Sequence, residues 1–238
     1  MGLESLLLSR DPQVIRVLQP ALEKLAIQVQ VCQGAESGVE MLLSEKFDAV
    51  IVDCDDLEGG TRVLQDLRKS PSNRSSIAFA ILNGGTTTHK AFAMGANFVL
   101  QKPVSSLIAI RCFSAGLGLM ARERRRYFRH RVELPLLLAV AAGQEIRATT
   151  TNVSEGGMAI RFSGVLPKGG VVKASFTPPG MNAPVNLKAE VVWVDRSGQA
   201  GIRFLEIPKP VRQHLERWLE DELKVMDQRA AEAKRNGH

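Results

Sequence analysis

Cysteine, histidine and aromatic residues are all scarce in this chain. Its three cysteines, Cys32, Cys54 and Cys112, are spread through 238 residues. An odd number without metal-like spacing excludes a disulfide framework and a cysteine zinc site, so they read as reduced core thiols. His89, His130, His214 and His238 have no acid or second histidine at ligand spacing, which argues against a metal centre and against histidine-based catalysis. No apolar run approaches the ~18 residues that a spanning helix needs. The opening "MGLESLLLSRDP" has too short an apolar core for a signal peptide. With 45% hydrophobic and 24% charged residues the composition is globular. A soluble, cytoplasmic protein without membrane insertion is the expectation, and no internal repeat or low-complexity tract is visible.

The charge that is present is unevenly placed. Residues 1–118 carry 11 Lys+Arg against 12 Asp+Glu, a net of −1, so residues 119–238 carry +7 and the chain as a whole +6. One stretch, Arg122–Arg131 or "RERRRYFRHR", supplies +5 of that, with six arginines against one glutamate. A nucleic-acid binder spreads its basic residues over a broad face. Here the surplus is local, and DNA or RNA is not the expected partner.

Two patterns divide the chain. In the first half, apolar runs at 5–9, 27–32, 47–55, 77–83 and 98–102 read as parallel strands, the second of them weak. Helix-period segments fall near 12–25, 36–46, 60–69, 87–94 and 104–121. Strands alternating with helices predict a doubly wound α/β domain over residues 1–121, with Pro20 kinking or interrupting its first helix. From 132 onward six strand-like runs follow without a helix, at 132–143, 144–154, 156–162, 169–180, 185–196 and 198–207. Bounded by Gly-Gly, Pro-Pro-Gly and Ser-Gly turns, they predict a six-stranded antiparallel barrel. A helix closes the chain after Pro208 and Pro210. Val211, Leu215, Trp218, Leu219, Leu223 and Met226 form its apolar stripe, suited to packing on the barrel or to pairing with a second copy as a homodimer. The arginine segment, 122–131, is the expected linker between the domain of 1–121 and that of 132–238.

In the first half, Asp53 ends the central strand "AVIVD", and Lys102-Pro103 ends the last. This order resembles the receiver domain of bacterial response regulators, a flavodoxin-like fold. The resemblance implies phosphoryl transfer to Asp53 with Mg²⁺ held by an acidic pair after the first strand. The matching positions are Ser9 and Arg10, with Asp11 one place further on; Asn83 replaces the switch hydroxyl and Val99 the aromatic. A guanidinium supplies no acceptor for a cation. A pseudo-receiver is therefore expected, with no metal, Asp53 a vestigial phosphoacceptor, and Arg10 or Lys102 as its ionic partner. Weak phosphorylation using Asp53, Asp11 and Asp55 or Asp56 is the alternative.

In the second half, Arg125-Arg-Tyr-Phe-Arg129 gives Arg-x-x-x-Arg, and Asn152-Val-Ser154-Glu-Gly-Gly157 follows between two strands. Taken alone, an arginine run is ordinarily a solvated linker and an Asn-Ser-Gly sequence an ordinary turn. Together, with "VVWV" and "AGIRF" after them, they resemble the PilZ domain over about residues 122–207. The resemblance implies binding of cyclic di-GMP, a compact ring of two guanines and two phosphates. An arginine fork can meet phosphate or the guanine O6/N7 edge with paired hydrogen bonds. The implied ligand residues are Arg125, Arg129, Asn152, Ser154 and Gly157, although Arg122 with Arg126 offers the same spacing. Arg124, just before the motif, implies two stacked ligands per protomer. Trp193 and Phe204 read as core or barrel-closing residues and not as base-stacking platforms. The overall expectation is a signalling effector, not an enzyme, in which ligand binding orders the arginine segment between the domains and reorients them; it needs no cofactor and acts on an unidentified downstream protein. The alternatives are a phosphorylation-controlled regulator and an adaptor that binds no nucleotide.

Overall fold

The computed structural model describes residues 2–140 and 144–236. The end of the first barrel run, residues 141–143, and His238 lie outside the described residues. The chain forms two compact units, Gly2–Arg124 and Arg125–His238, each with its own core.

The first unit has strands β1 (Leu3–Leu8), β2 (Ile27–Cys32), β3 (Ala49–Asp53), β4 (Ile77–Leu82) and β5 (Phe98–Gln101). Helices α1 (Pro12–Lys24), α2 (Ala35–Ser44), α3 (Gly60–Leu67), α4 (Thr88–Ala93) and α5 (Ser106–Tyr127) alternate with them. The sheet is parallel in the order β2-β1-β3-β4-β5, the flavodoxin-like arrangement. β3 and β4 are buried along their whole length, because helices cover both faces. Leu7, Ile51 and Phe79 meet Val14 and Leu18 of α1 and Phe113 of α5 on one side, while Leu8, Val52 and Leu82 meet Leu42 of α2 and Leu64 of α3 on the other. Cys32 and Cys54 are buried, and burial pushes the Cys54 thiol up to about 12, as befits an inert core thiol.

Two expectations change. Pro20 does not interrupt α1, which is continuous from Pro12 to Lys24 with Pro20 on its exposed side. And α5 runs on to Tyr127, so residues 122–127 are helix where a linker was expected. Arginine, alanine and glutamate are good helix formers, and arginines in the final turns face the negative end of the helix dipole. The helix is also held from the side. Buried Glu123 accepts from Lys46 Nζ at 3.3 Å, Lys46 donates to Ser76 Oγ at 3.0 Å, and the Arg124 guanidinium hydrogen-bonds the Gly2 carbonyl and lies 3.9 Å from Asp48.

The second unit is a closed antiparallel barrel of β6 (Pro135–Ala139), β7 (Glu145–Ser154), β8 (Gly157–Phe162), β9 (Val171–Phe176), β10 (Val185–Val194) and β11 (Gln199–Glu206), in the order β10-β11-β8-β7-β6-β9. Leu138, Ile160, Ala174, Ala189 and Ile202 point inward and fill it. Helix α6 (Lys209–Asn236) joins that core through Val211, Leu215 and half-buried Trp218. Further along the expected stripe Leu219 and Leu223 are buried and Met226 is exposed.

Candidate functional site

The first cluster lies at the carboxyl ends of β1, β3 and β5, where parallel sheets place their chemistry. Lys102, just past β5, donates from Nζ to Asp53 Oδ2 at 2.8 Å, Asp11 Oδ2 at 2.9 Å and Asp56 Oδ2 at 2.5 Å. Asp53 is fully buried. Ser9 Oγ adds a 2.8 Å hydrogen bond to the same Asp53 oxygen. Of the two ionic partners expected for Asp53, Lys102 is the one present; Arg10 instead donates to the Gln33 carbonyl. Asn83 Nδ2 reaches Asp56 Oδ2 at 3.1 Å, and half-buried Val99 packs into the core. Asp11 has a second task, capping α1 by accepting from the Gln13 amide at 2.8 Å.

Burial alone would pull the Lys102 ammonium down, but its hydrogen bonds to Asp53, Asp56 and Asp11 override this and hold it above the ordinary lysine value. The hydrogen bond from Lys102 likewise holds Asp11 and Asp56 below the usual carboxylate range. As a test for a receiver's Mg²⁺, Asp11, Asp53 and Asp56 offer three oxygens within 4.8 Å of one another, the ligand type a hard dication takes. All three already accept from one ammonium, and Ser9 and Arg10 supply no acid at the first strand's end.

The second cluster lies on the barrel. Its organising feature is an isolated antiparallel bridge between His130 and Val153, in which each amide donates to the other's carbonyl at 2.9 Å. By strand register this sets Arg129 beside Ser154 and Arg131 beside Asn152. Arg129 Nη1 donates to Ser154 Oγ at 3.3 Å, and buried Ser154 donates to the Gly157 carbonyl at 3.0 Å. β7 and β8 are joined by the two-residue turn Glu155-Gly156, so Ser154 pairs directly with Gly157. A β-bulge between Thr150 and Asn152 re-aims Asn152, whose buried Oδ1 has no hydrogen-bond partner among the described residues. Arg125, in the last turn of α5, has no hydrogen-bond or ion-pair partner among the described residues. Such donors and an orphan acceptor are what an anionic, hydrogen-bonding ligand would complete.

Gly157, one of the implied ligand residues, is a glycine for a reason of the barrel itself. Its φ is not positive, and the demand comes from the barrel: a Cβ at 157 would stand 2.2 Å from the Ile202 carbonyl oxygen of β11. Arg124 is engaged in the first unit, on Gly2 and Asp48. Trp193 is a correction: it is 41% exposed, outside the core that holds Phe204. A register shift between Val191 and Trp193 turns the indole outward, where it lies over Gly201 so closely that a Cβ there would meet Nε1 at 2.1 Å. Strand pairing runs from Trp193 through Gly201 and Ala159 to Asn152, and from Arg203 through Gly157 to Ser154. Arg131 and Arg203 thus adjoin the motif residues, while Trp193 lies three strands away from Asn152. The signals for the two arginines were the alternation around His130 and the "GIRF" strand, neither of which singles out a residue without the register.

Comparison with known proteins gives the same division. The response regulator receiver domain matches residues 6–109, and the PilZ domain matches residues 123–221. Solved structures resemble the first half. The receiver domain of a sensor histidine kinase from Pseudomonas aeruginosa PAO1, solved with a magnesium ion in its active-site cleft, is 21% identical over 48% of this chain and 99% of its own, with a TM-score of 0.41. A putative response regulator from Chloroflexus aurantiacus J-10-fl is 21% identical over 51% of this chain and 100% of its own, at a TM-score of 0.45. No curated protein matches the chain. Among the described residues no helix is long and apolar enough to cross a membrane. With a flavodoxin-like sheet carrying the Asp53–Lys102 pair and a closed barrel carrying the Asn-x-Ser-x-x-Gly turn, the chain carries a response regulator receiver domain at residues 6–109 followed by a PilZ domain at residues 123–221.

Proposed function

We propose that this protein is a non-enzymatic signalling effector that binds cyclic di-GMP on the PilZ barrel through Arg125, Arg129, Asn152, Ser154 and Gly157. The observation that carries the reading is the juxtaposition of Arg129 with Ser154 beside the unpartnered Asn152 Oδ1. Guanine N1–H and N2–H₂ are donors that suit an orphan carbonyl oxygen, and guanidinium forks suit phosphates and the O6/N7 edge. Lysine in place of arginine would supply charge without the fork.

Arg124 carries the expectation of two ligands per protomer. To reach a second molecule it must leave the Gly2 carbonyl and Asp48, so the second equivalent binds more weakly than the first. Because the arginine segment is the covalent link between the two units, drawing it onto a ligand resets their relative orientation, which a downstream protein then reads. The segment starts as a helix that ends in a paired bridge, so the ligand repositions formed structure and does not order a loose linker.

The test is calorimetric titration with cyclic di-GMP, with GTP, cyclic GMP and duplex DNA as competitors, over a salt series. A shaped site rejects all three, whereas binding to a phosphate backbone weakens steeply with salt and shows no guanine preference. Small-angle scattering unchanged at saturating ligand would refute the reorientation. A second reading, control by phosphorylation of Asp53, draws on the three gathered carboxylates. Against it stand Ser9 and Arg10 and the complete pairing of the cluster to Lys102, and we read the receiver domain as a pseudo-receiver scaffold in a cytoplasmic protein.

A further inference from the structure

His130 lies just after the Arg-x-x-x-Arg unit and is not one of the implied ligand residues, yet it faces both ways. Its backbone makes the bridge to Val153 that sets Arg129 against Ser154. In an extended bridge neighbouring side chains alternate, so its ring leaves on the side opposite Arg129 and Arg131. There it meets α6: the ring centroid is 5.2 Å from that of Trp218 at an interplanar angle of 82°, and Nε2 is 3.7 Å from Glu222 Oε2. Phe128 approaches from its own segment at 6.2 Å. The edge-to-face geometry is the preferred aromatic arrangement, which a small displacement of either ring disturbs. Below this contact α6 is fixed to the barrel core by Val211 and Leu215; beyond it Val225 and Met226 are exposed.

We propose that His130 is a positioning residue that holds the arginines in register with β7 and passes the state of the ligand site to α6, making α6 an output element of the barrel. The proposal rests on the cyclic di-GMP reading. When a ligand draws Arg129 and Arg131 to one side, the backbone between them turns, and the imidazole on the other side shifts against Trp218 and Glu222. Both contacts lie on the middle of α6, so the turn beyond them that exposes Val225 and Met226 is what moves or stiffens.

The test uses the full chain, with cyclic di-GMP as the probe, and reads affinity by calorimetry and α6 by hydrogen exchange. In the wild type the ligand changes exchange across residues 211–225 by about tenfold. His130→Ala keeps the backbone bridge and binds about three- to tenfold more weakly, yet α6 no longer responds. Trp218→Leu, which retains apolar bulk, gives the same loss of response, and the double variant binds no worse than the weaker single, the signature of one shared contact. As a control for mere destabilisation, Leu215→Ala lowers the melting temperature and leaves the α6 response in place. A response of wild-type size in His130→Ala, or additive losses in the double variant, overturns the proposal. Wild-type binding without any change in α6 overturns it while sparing the function proposed above; absence of binding overturns both.

Discussion

The two charged clusters of this protein are built on opposite plans. In the receiver domain one lysine meets three carboxylates at 2.5–2.9 Å, and a serine hydroxyl and an asparagine amide complete the set. On the barrel one arginine meets a neutral serine at 3.3 Å, and a neighbouring asparagine oxygen has no partner among the described residues. A cluster that contains its own counter-ions holds a fold together, and adding a ligand to it means first breaking those pairs. A cluster with surplus charge and an orphan acceptor gains most from an anion that arrives from outside. The difference explains why ligand binding is assigned to the barrel and scaffolding to the receiver, although receiver domains are the ones associated with phosphoryl chemistry.

This contrast can be broken from either side. The largest effect is expected for Lys102→Ala, which strips the counter-ion from fully buried Asp53. Breaking such a pair costs about 3–5 kcal/mol, so denaturant unfolding of the receiver transition should move to markedly lower midpoint while the barrel transition stays put. Gly157→Ala comes next. The new Cβ meets backbone at Ile202, which cannot swing aside, and overpacking of this kind costs about 1–3 kcal/mol; thermal unfolding of the barrel should show it together with weakened ligand binding.

A subtler test uses pH. Hydrogen bonds from Lys102 depress Asp11 and Asp56, so both carboxylates favour the folded state when ionised. That stabilisation is complete above the unfolded value of about 4 and is lost as pH falls through the depressed folded values. Circular dichroism should therefore find the receiver transition weakening below about pH 4, and less steeply in Asp11→Asn. At the small end, acetyl phosphate with Mg²⁺ should leave the intact mass unchanged. A stable phosphoryl adduct on Asp53 would erase the contrast, since it requires Lys102 to give up its pairs.

Much of this was legible in the sequence, and the exceptions share a cause. β3 and β4 could be read because strands buried on both faces leave continuous apolar runs, and the barrel because its turns are marked by glycine and proline. The end of α5 was misread because six arginines look like a solvated linker, when arginine is a good helix former and Glu123 has a buried partner in Lys46 far away in sequence. Trp193 was misassigned because a register shift reverses its side of the strand, and no local pattern announces a bulge. Arg124, Asp11 and His130 show the same limit. Their residue types were visible, but what each faces, Asp48, Lys102 or Trp218, depends on segments distant in the chain. Alternation and propensity report what a residue can do locally; partners across elements appear only when the fold is assembled.

Most directly, the central claim is tested by titrating cyclic di-GMP into the wild type and Arg129→Ala side by side. Removing an arginine whose paired contact to bound ligand is desolvated costs about 2–4 kcal/mol, roughly 30- to 900-fold in affinity. The account predicts saturable wild-type binding and a loss of that size in the variant. No binding by the wild type, or equal affinity in the two proteins, would contradict it.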